Sequence, residues 1–342
     1  FSGLDFDSRN NIVTPTSLCI DDARKRLYVN YRPGCWVTDM VPKPTLSPGY
    51  AVYDFALKDT DFRFPEHASM VDSNRATKWV SYGHWTGDIF ALVDKNGVLY
   101  QTTVNSSRQQ SGRESEEQKF IEGVLTRSPD GSIKQRNLIK VVQSSGSVAV
   151  DSKGNIYTVD YSPDLEHWFR GELNFGFPNW TGYEAGAVAG FDTMCMYRGH
   201  MPVYHQPQVI DLVKFGPEGG RRYKDEIWAL RGAGYNGKAC GCKSNGNMLA
   251  CDGADRIISA DTVHYAVKII DTAGNLIQRV GCHGNAETLP GADHNAKDLG
   301  FRIIQNIAAA SDAAHIVDKT LRRVARVRME YREVNSAGIT GN

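Results

Sequence analysis

The chain has 342 residues, with 39 Lys+Arg against 39 Asp+Glu, so its formal net charge is zero. That balance argues against a nucleic-acid binder, which carries a basic excess or a basic stripe. A hydrophobic content of 41% is too high for disorder, no apolar run is long enough for a transmembrane helix, and the length admits two ordinary domains or one large all-β or α/β-barrel domain.

The chain opens at Phe1, without methionine and without a charged-then-apolar leader, so a removed targeting segment is expected. Its cysteines are Cys19, Cys35, Cys195, Cys240, Cys242, Cys251 and Cys282, an odd set that fits some disulfides and at least one free thiol. Asn105-Ser106-Ser107 matches a glycosylation acceptor, a pattern that is common by chance.

In chain order, the first element is a hairpin, Leu18-Cys-Ile-Asp21 followed by Leu27-Tyr28-Val29-Asn30. A second type of hairpin follows at Ala91-Leu-Val-Asp94 and Gly97-Val-Leu-Tyr100, and again at Val124 to Ile133 around Pro129-Asp130-Gly131. The stretch 103–122 reads as a long loop. Val148-Ala-Val-Asp151-Ser-Lys-Gly154-Asn-Ile156-Tyr157-Thr-Val-Asp160 repeats the first hairpin, and 162–208 reads as a second long loop. Val213-Lys-Phe215-Gly-Pro217-Glu218-Gly219-Gly220 is a glycine-richer version of the second type, before the strand Ile227-Trp228-Ala229-Leu230. The first hairpin returns at Leu249 to Asp261 and more loosely at Ile307 to Asp318, and the second at Val267 to Ile277. At Asp151 to Asn155 the Asx side chain closes the turn and Gly154 takes the positive φ, the second type carries D-x-x-G or D-G turns, and the simple role of each such aspartate is a turn cap.

Two alternating hairpins per repeat predict an all-β chain. The expected architecture is a β-propeller of four-stranded antiparallel blades, a single domain over 1–342 with long inserted loops around 103–122 and 162–208. Dividing the length by a blade of roughly 45–50 residues favours seven blades and allows six. A strand near 325–332 is expected to close the ring by pairing with one from the opposite terminus, which removes exposed sheet edges.

The segments SVAVDSKGNIYTVD and YAVKIIDTAGNLIQRVG resemble the inner and outer halves of an NHL-repeat blade, and HIVDKTLRRVARVRMEY resembles closing strands of that family, with Arg322-Arg323 after the last turn. The match covers roughly residues 140–332 well and 1–139 by pattern only. The order VKFGPEGG, a Trp-containing strand and then C-x-C is similar to NHL propellers of planctomycete type, and among them to the haem-free (beta) propeller subunits of anammox hydrazine synthases. That resemblance implies a non-catalytic subunit of an extracytoplasmic multihaem oxidoreductase complex, in a periplasm-like or anammoxosome lumen. The complex would make hydrazine from nitric oxide and ammonium, with c-type cytochrome partners in a hetero-oligomer. The propeller would hold the haem subunits and shape the path of an intermediate. The alternatives are a stand-alone NHL-type hydrolase or lyase using a channel-bound calcium or zinc, and a plain protein-binding propeller.

No C-x-x-C-H occurs, so no covalent haem is expected on this chain and c-type haems would sit on partners. Cys240, Cys242, Cys251 and Cys282 beside His283 form the metal-like cluster; structural disulfides, buried free thiols and a zinc site all remain open for it. His200 and His205, in the long insertion, can reach a shared ion or stand solvated. No Gly-x-Ser-x-Gly elbow, P-loop or dinucleotide fingerprint is present, so no catalytic residue is assigned. Residues 167–186 are rich in aromatics and glycine, material for a protein interface or for folding back on a blade. Glu218 stands at the tip of Phe215 to Arg222, where flanking glycines permit a close backbone approach. It is the expected oxygen ligand for a hard cation such as Ca²⁺ or Mg²⁺, or a partner contact, against the simpler reading of a solvent turn.

Overall fold

The computed structural model describes residues 13–33, 49–58, 86–105, 121–141, 144–161, 208–236, 247–261, 264–284, 299–301, 304–310, 312–318, 321 and 323–330. Every regular element among them is a β-strand. No helix among them is long and apolar enough to cross a membrane.

The first sheet holds β1 (Val13–Asp21), β2 (Arg26–Pro33) and β3 (Gly49–Asp54). The second holds β4 (Thr86–Val93), β5 (Leu99–Asn105), β6 (Ile121–Arg127) and β7 (Ile133–Val141). The third is β8 (Ser144–Val150), β9 (Ile156–Tyr161), β10 (Gln208–Phe215) and β12 (Trp228–Asn236). Between its last two strands, β11 (Gly220–Arg221) leaves to join β7 in parallel. The fourth is β13 (Leu249–Cys251), β14 (Ile257–Asp261), β15 (Ala266–Ile270) and β16 (Leu276–Val280). A short parallel pair, β17 (Cys282–His283) and β18 (Gly300–Phe301), precedes the fifth sheet of β19 (Ile304–Ala309), β20 (Ala313–Asp318) and β21 (Arg323–Arg328).

Within each of the five sheets, consecutive strands pair antiparallel, and the first strands pack in series: β1 on β4, β4 on β8, β8 on β13, β13 on β19. This is an all-β propeller. Its blades bury both faces, which explains the continuous apolar runs of the sequence. Along β9, Ile156 packs toward the second blade with Val124, Val148 and Phe215, while its neighbour Tyr157 packs toward the fourth with Leu249 and Ile257. Alternation with period two therefore sends successive apolar residues into different inter-blade cores, each fully buried side chain contributing roughly 1.5–3 kcal/mol.

The described residues form five blades, not the seven favoured or six allowed by length. First strands begin at residues 13, 86, 144, 249 and 304. Those intervals exceed the spacing of roughly 45–50 residues on which the division rested. The two expected loops fall mostly outside the described residues; at their margins residues 103–105 continue β5, 121–122 open β6 and Gln208 opens β10. Ala91 to Tyr100 is the inner hairpin β4–β5, not an outer one, because the same D-x-x-G turn chemistry serves both positions. The terminal pairing expected near 325–332 is also not found among the described residues. There β21 hydrogen-bonds to β20, and β1 is the first strand of its own sheet.

The turn aspartates act as caps. Oδ1 of Asp94 accepts the amides of Asn96 and Val98, both at 2.8 Å. Asp151 accepts those of Lys153 and Asn155 at 3.0 and 2.8 Å, and Asp252 those of Ala254 and Arg256 at 2.8 and 3.0 Å. Gly154 supplies φ +84° in its turn; Asp255 takes the equivalent place with φ +60°, and its carboxylate accepts the amide of Ser152 from the neighbouring blade at 2.8 Å.

Candidate functional site

The segment from Gly216 to Ile227 links two blades. After β10, a turn closes with the Gly219 amide donating to the Gly216 carbonyl at 3.0 Å. Gly220 and Arg221 then lie beside Ile139 and Lys140 as a fifth strand on the second blade, and the Arg222 amide donates to the Lys140 carbonyl at 2.9 Å. The close approach expected of these glycines is real, and the surface approached is the chain's own β7. Gly219 has φ +72°, and a Cβ built on it would stand 1.9 Å from the Leu138 carbonyl oxygen. Gly219→Ala is therefore expected to lift this connection off β7, at about 1–3 kcal/mol, read as a lowered urea midpoint.

The Arg222 side chain, 1% exposed, runs into the interior. Its guanidinium meets Asp211 Oδ2 and Glu226 Oε1, each at 2.5 Å, and lies 3.8 Å from Asp160 Oδ2. Asp160 and Asp211 are directly opposite each other on β9 and β10, and both are buried. Like charges in facing positions repel. Arg222 supplies the countercharge, and its fork of donors suits two carboxylates at once. The chain returns to its blade where the Ile227 amide donates to the Lys214 carbonyl at 2.8 Å. Between these anchors Pro217, Glu218, Tyr223, Lys224 and Ile227 are exposed, with Arg222 stacked 4.2 Å from the Tyr223 ring. A connection fixed at its base and presenting a carboxylate, an aromatic ring and an aliphatic side chain to solvent is suited to contact another molecule.

Of the residues singled out from sequence, Glu218 is exposed at the tip of this connection. A single carboxylate supplies too few of the six to eight oxygens that Ca²⁺ takes. Among the described residues, no group of three or more His, Cys, Asp or Glu is placed to hold a metal. Cys251 lies on β13, the innermost strand of its blade, and Cys282 on β17; both are half-buried, free thiols. Burial, reinforced by Asp255, Asp252 and Asp151, pushes the Cys251 thiol up to about 12, so it is protonated at neutral pH. Cys240, Cys242, His200, His205 and residues 167–186 lie outside the described residues.

Sequence reading missed a second charged cluster. Asp261, fully buried at the end of β14, receives His264 Nδ1 at 2.7 Å and Lys268 Nζ at 2.8 Å on the same oxygen. Lys268 also donates to the Ala233 carbonyl of the third blade, which ties the two blades together. The recurring acidic residue at the end of each second strand was visible in the repeat; its partners, three and seven residues later, were not. Burial pushes the Asp261 carboxyl up, but the hydrogen bond from His264 and the charge of Lys268 outweigh it and hold it below the usual aspartate range. A depressed carboxylate contributes stability above its unfolded value, and this contribution is lost as pH falls through the folded one. Asp261→Asn is thus expected to flatten the fall in stability below about pH 4, measured as urea midpoints across the acid range.

The strand order by itself defines this chain as a β-propeller. No protein-family model matches it, and no curated protein does. Solved structures similar to it include a nidogen/laminin complex, at 10% identity and a TM-score of 0.44 over 93% of this chain and 76% of that one. A protein of unknown function from Bacteroides caccae is similar at 8% identity and a TM-score of 0.45, over 92% and 78%. Kuenenia stuttgartiensis hydrazine synthase is similar at 10% identity and a TM-score of 0.41, over 92% and 84%.

Proposed function

We propose that this chain is a single, rigid binding propeller that works as a haem-free subunit of an extracytoplasmic multihaem complex of the hydrazine synthase type. In this reading it holds c-type cytochrome subunits and helps to wall the path of an intermediate, and chemistry takes place on the partners' haems. The observation that carries it is the 216–227 connection, pinned by the buried Arg222 network and by pairing with β7, yet offering Glu218, Tyr223 and Ile227 to solvent. The resemblance of residues 140–332 to such subunits supports the choice of partner. The turn aspartates at the ends of inner strands support binding over channel catalysis, because Asp94, Asp151 and Asp252 are each engaged with two backbone amides. Glu218 can add an oxygen to a hard cation only together with water or a partner's ligands.

Purification from the native source tests this. Stoichiometric co-elution with proteins showing c-type haem absorbance is expected, and Tyr223→Asp with Ile227→Asp should weaken that association. A colourless monomer with an activity of its own would overturn the reading.

A further inference from the structure

The core between the third and fourth blades holds an aromatic pair that the binding role leaves unused. Tyr157, fully buried on β9, and Trp228, half-buried at the start of β12, have ring centroids 5.9 Å apart at 59°. The hairpin fold does not require a phenol there. Six residues after the capping aspartate the third blade has Tyr157, and the fourth has an equally buried Ile258. The polar atoms of the two rings have partners of different chemistry: the Tyr157 hydroxyl donates to Asp151 Oδ2 at 3.0 Å, and the Trp228 Nε1–H donates to the Thr272 carbonyl at 3.0 Å. A carboxylate can take up a proton at neutral pH; a peptide carbonyl cannot. Burial, reinforced by the hydrogen bond and charge of Asp151, pushes the Tyr157 phenol up, so it is protonated at neutral pH. The Lys214 ammonium stands 5.3 Å from the centre of that ring and opposes a positive charge on it. Tyr157 can therefore lose an electron only together with its proton, and the acceptor for that proton is already in place.

We propose that Trp228 and Tyr157 form a one-electron relay, which takes up an oxidising hole at the half-buried indole and holds it on the buried phenol as a neutral tyrosyl radical. The oxidant is a high-potential one-electron acceptor in solution, of the class of oxygen- or nitrogen-centred radicals. It gains one electron from Trp228. The indole radical cation keeps its proton, since its partner is a carbonyl, and takes one electron from Tyr157 while the phenol proton moves to Asp151 Oδ2. Trp228 is then restored, Tyr157 is oxidised by one electron and Asp151 is protonated. A later one-electron reductant returns the electron, and Asp151 returns the proton. The direction follows from the hydrogen bonds, because only the Tyr157 step has a base beside it. The radical thereby moves from a surface beside exposed Ile227 to a site closed to solvent. The relay uses residues of this chain alone, so it stands or falls apart from the haem partners.

Flash photolysis of the full chain with dissolved ruthenium tris(bipyridine) and a sacrificial electron acceptor tests the proposal, the tyrosyl radical being read by transient absorption and electron paramagnetic resonance. Tyr157→Phe is expected to remove most of the tyrosyl signal. Trp228→Phe should slow its appearance at least about tenfold, and so should Asp151→Asn, which keeps an oxygen for the turn but is no base. Tyr100→Phe, six residues after Asp94 in the second blade, should leave the signal unchanged. In the wild-type chain, which needs no substitution to fold, the radical should form more slowly in D2O than in H2O. A signal that Tyr157→Phe leaves intact, or that Tyr100→Phe lowers equally, overturns the proposal. So does a rate unchanged by Trp228→Phe or by Asp151→Asn, or a wild-type rate with no isotope effect.

Discussion

Arg222→Leu is expected to destabilise the protein by about 3–5 kcal/mol, the range for removing one partner of a buried ionic cluster. The loss comes less from attraction forgone than from what remains. Asp160 and Asp211, facing each other across β9 and β10, would lose the buried guanidinium that lies between them, and Glu226 Oε1 would lose its 2.5 Å contact. Arg222→Lys keeps the charge but cannot reach both carboxylates with a planar fork, so it should fall between wild type and Leu. Guanidinium unfolding at neutral pH measures both.

Asn247→Ala is expected to cost about 3 kcal/mol, since it strands two buried backbone groups of a neighbouring blade. Asn247 stands just before β13. Its Oδ1 accepts the Val148 amide at 3.1 Å and its Nδ2 donates to the Val148 carbonyl at 2.8 Å, while its own carbonyl accepts the Ile307 amide at 2.9 Å. One side chain and one peptide group thus join the first strands of three successive blades. Asn247→Asp retains the acceptor but loses the donor and faces a carbonyl with a charge, so it should be no better than alanine. Hydrogen exchange at Val148 should quicken in both variants, whereas Ile307, bound to the backbone carbonyl, should be less affected.

Much of this architecture is local and so is legible in residue order. Val148 to Asp160 and Leu249 to Asp261 announce their hairpins because the Asx cap and the positive-φ position lie within the turn itself. Their apolar runs announce burial on both faces because the third and fourth blades each pack between two neighbours. Blade number is not local. It depends on how much chain lies between sheets, and Val148-type motifs carry no measure of that distance. Nor could the role of Ala91 to Tyr100 be read, since Asp94 and Gly97 close the same turn that Asp271 and Gly274 close on an outer hairpin.

The Phe215 to Arg222 segment marks the boundary most clearly. By itself the sequence determined that this copy of the turn is unusual, with three glycines, a proline and an arginine pair where one aspartate and one glycine suffice. Only the tertiary structure decided what that excess is for. Gly219 must clear the Leu138 carbonyl, β11 must pair with a strand about eighty residues earlier, and Arg222 must find carboxylates on β9 and β10. Each of those partners is distant in sequence and near in space, because packing one blade on the next is what brings them together.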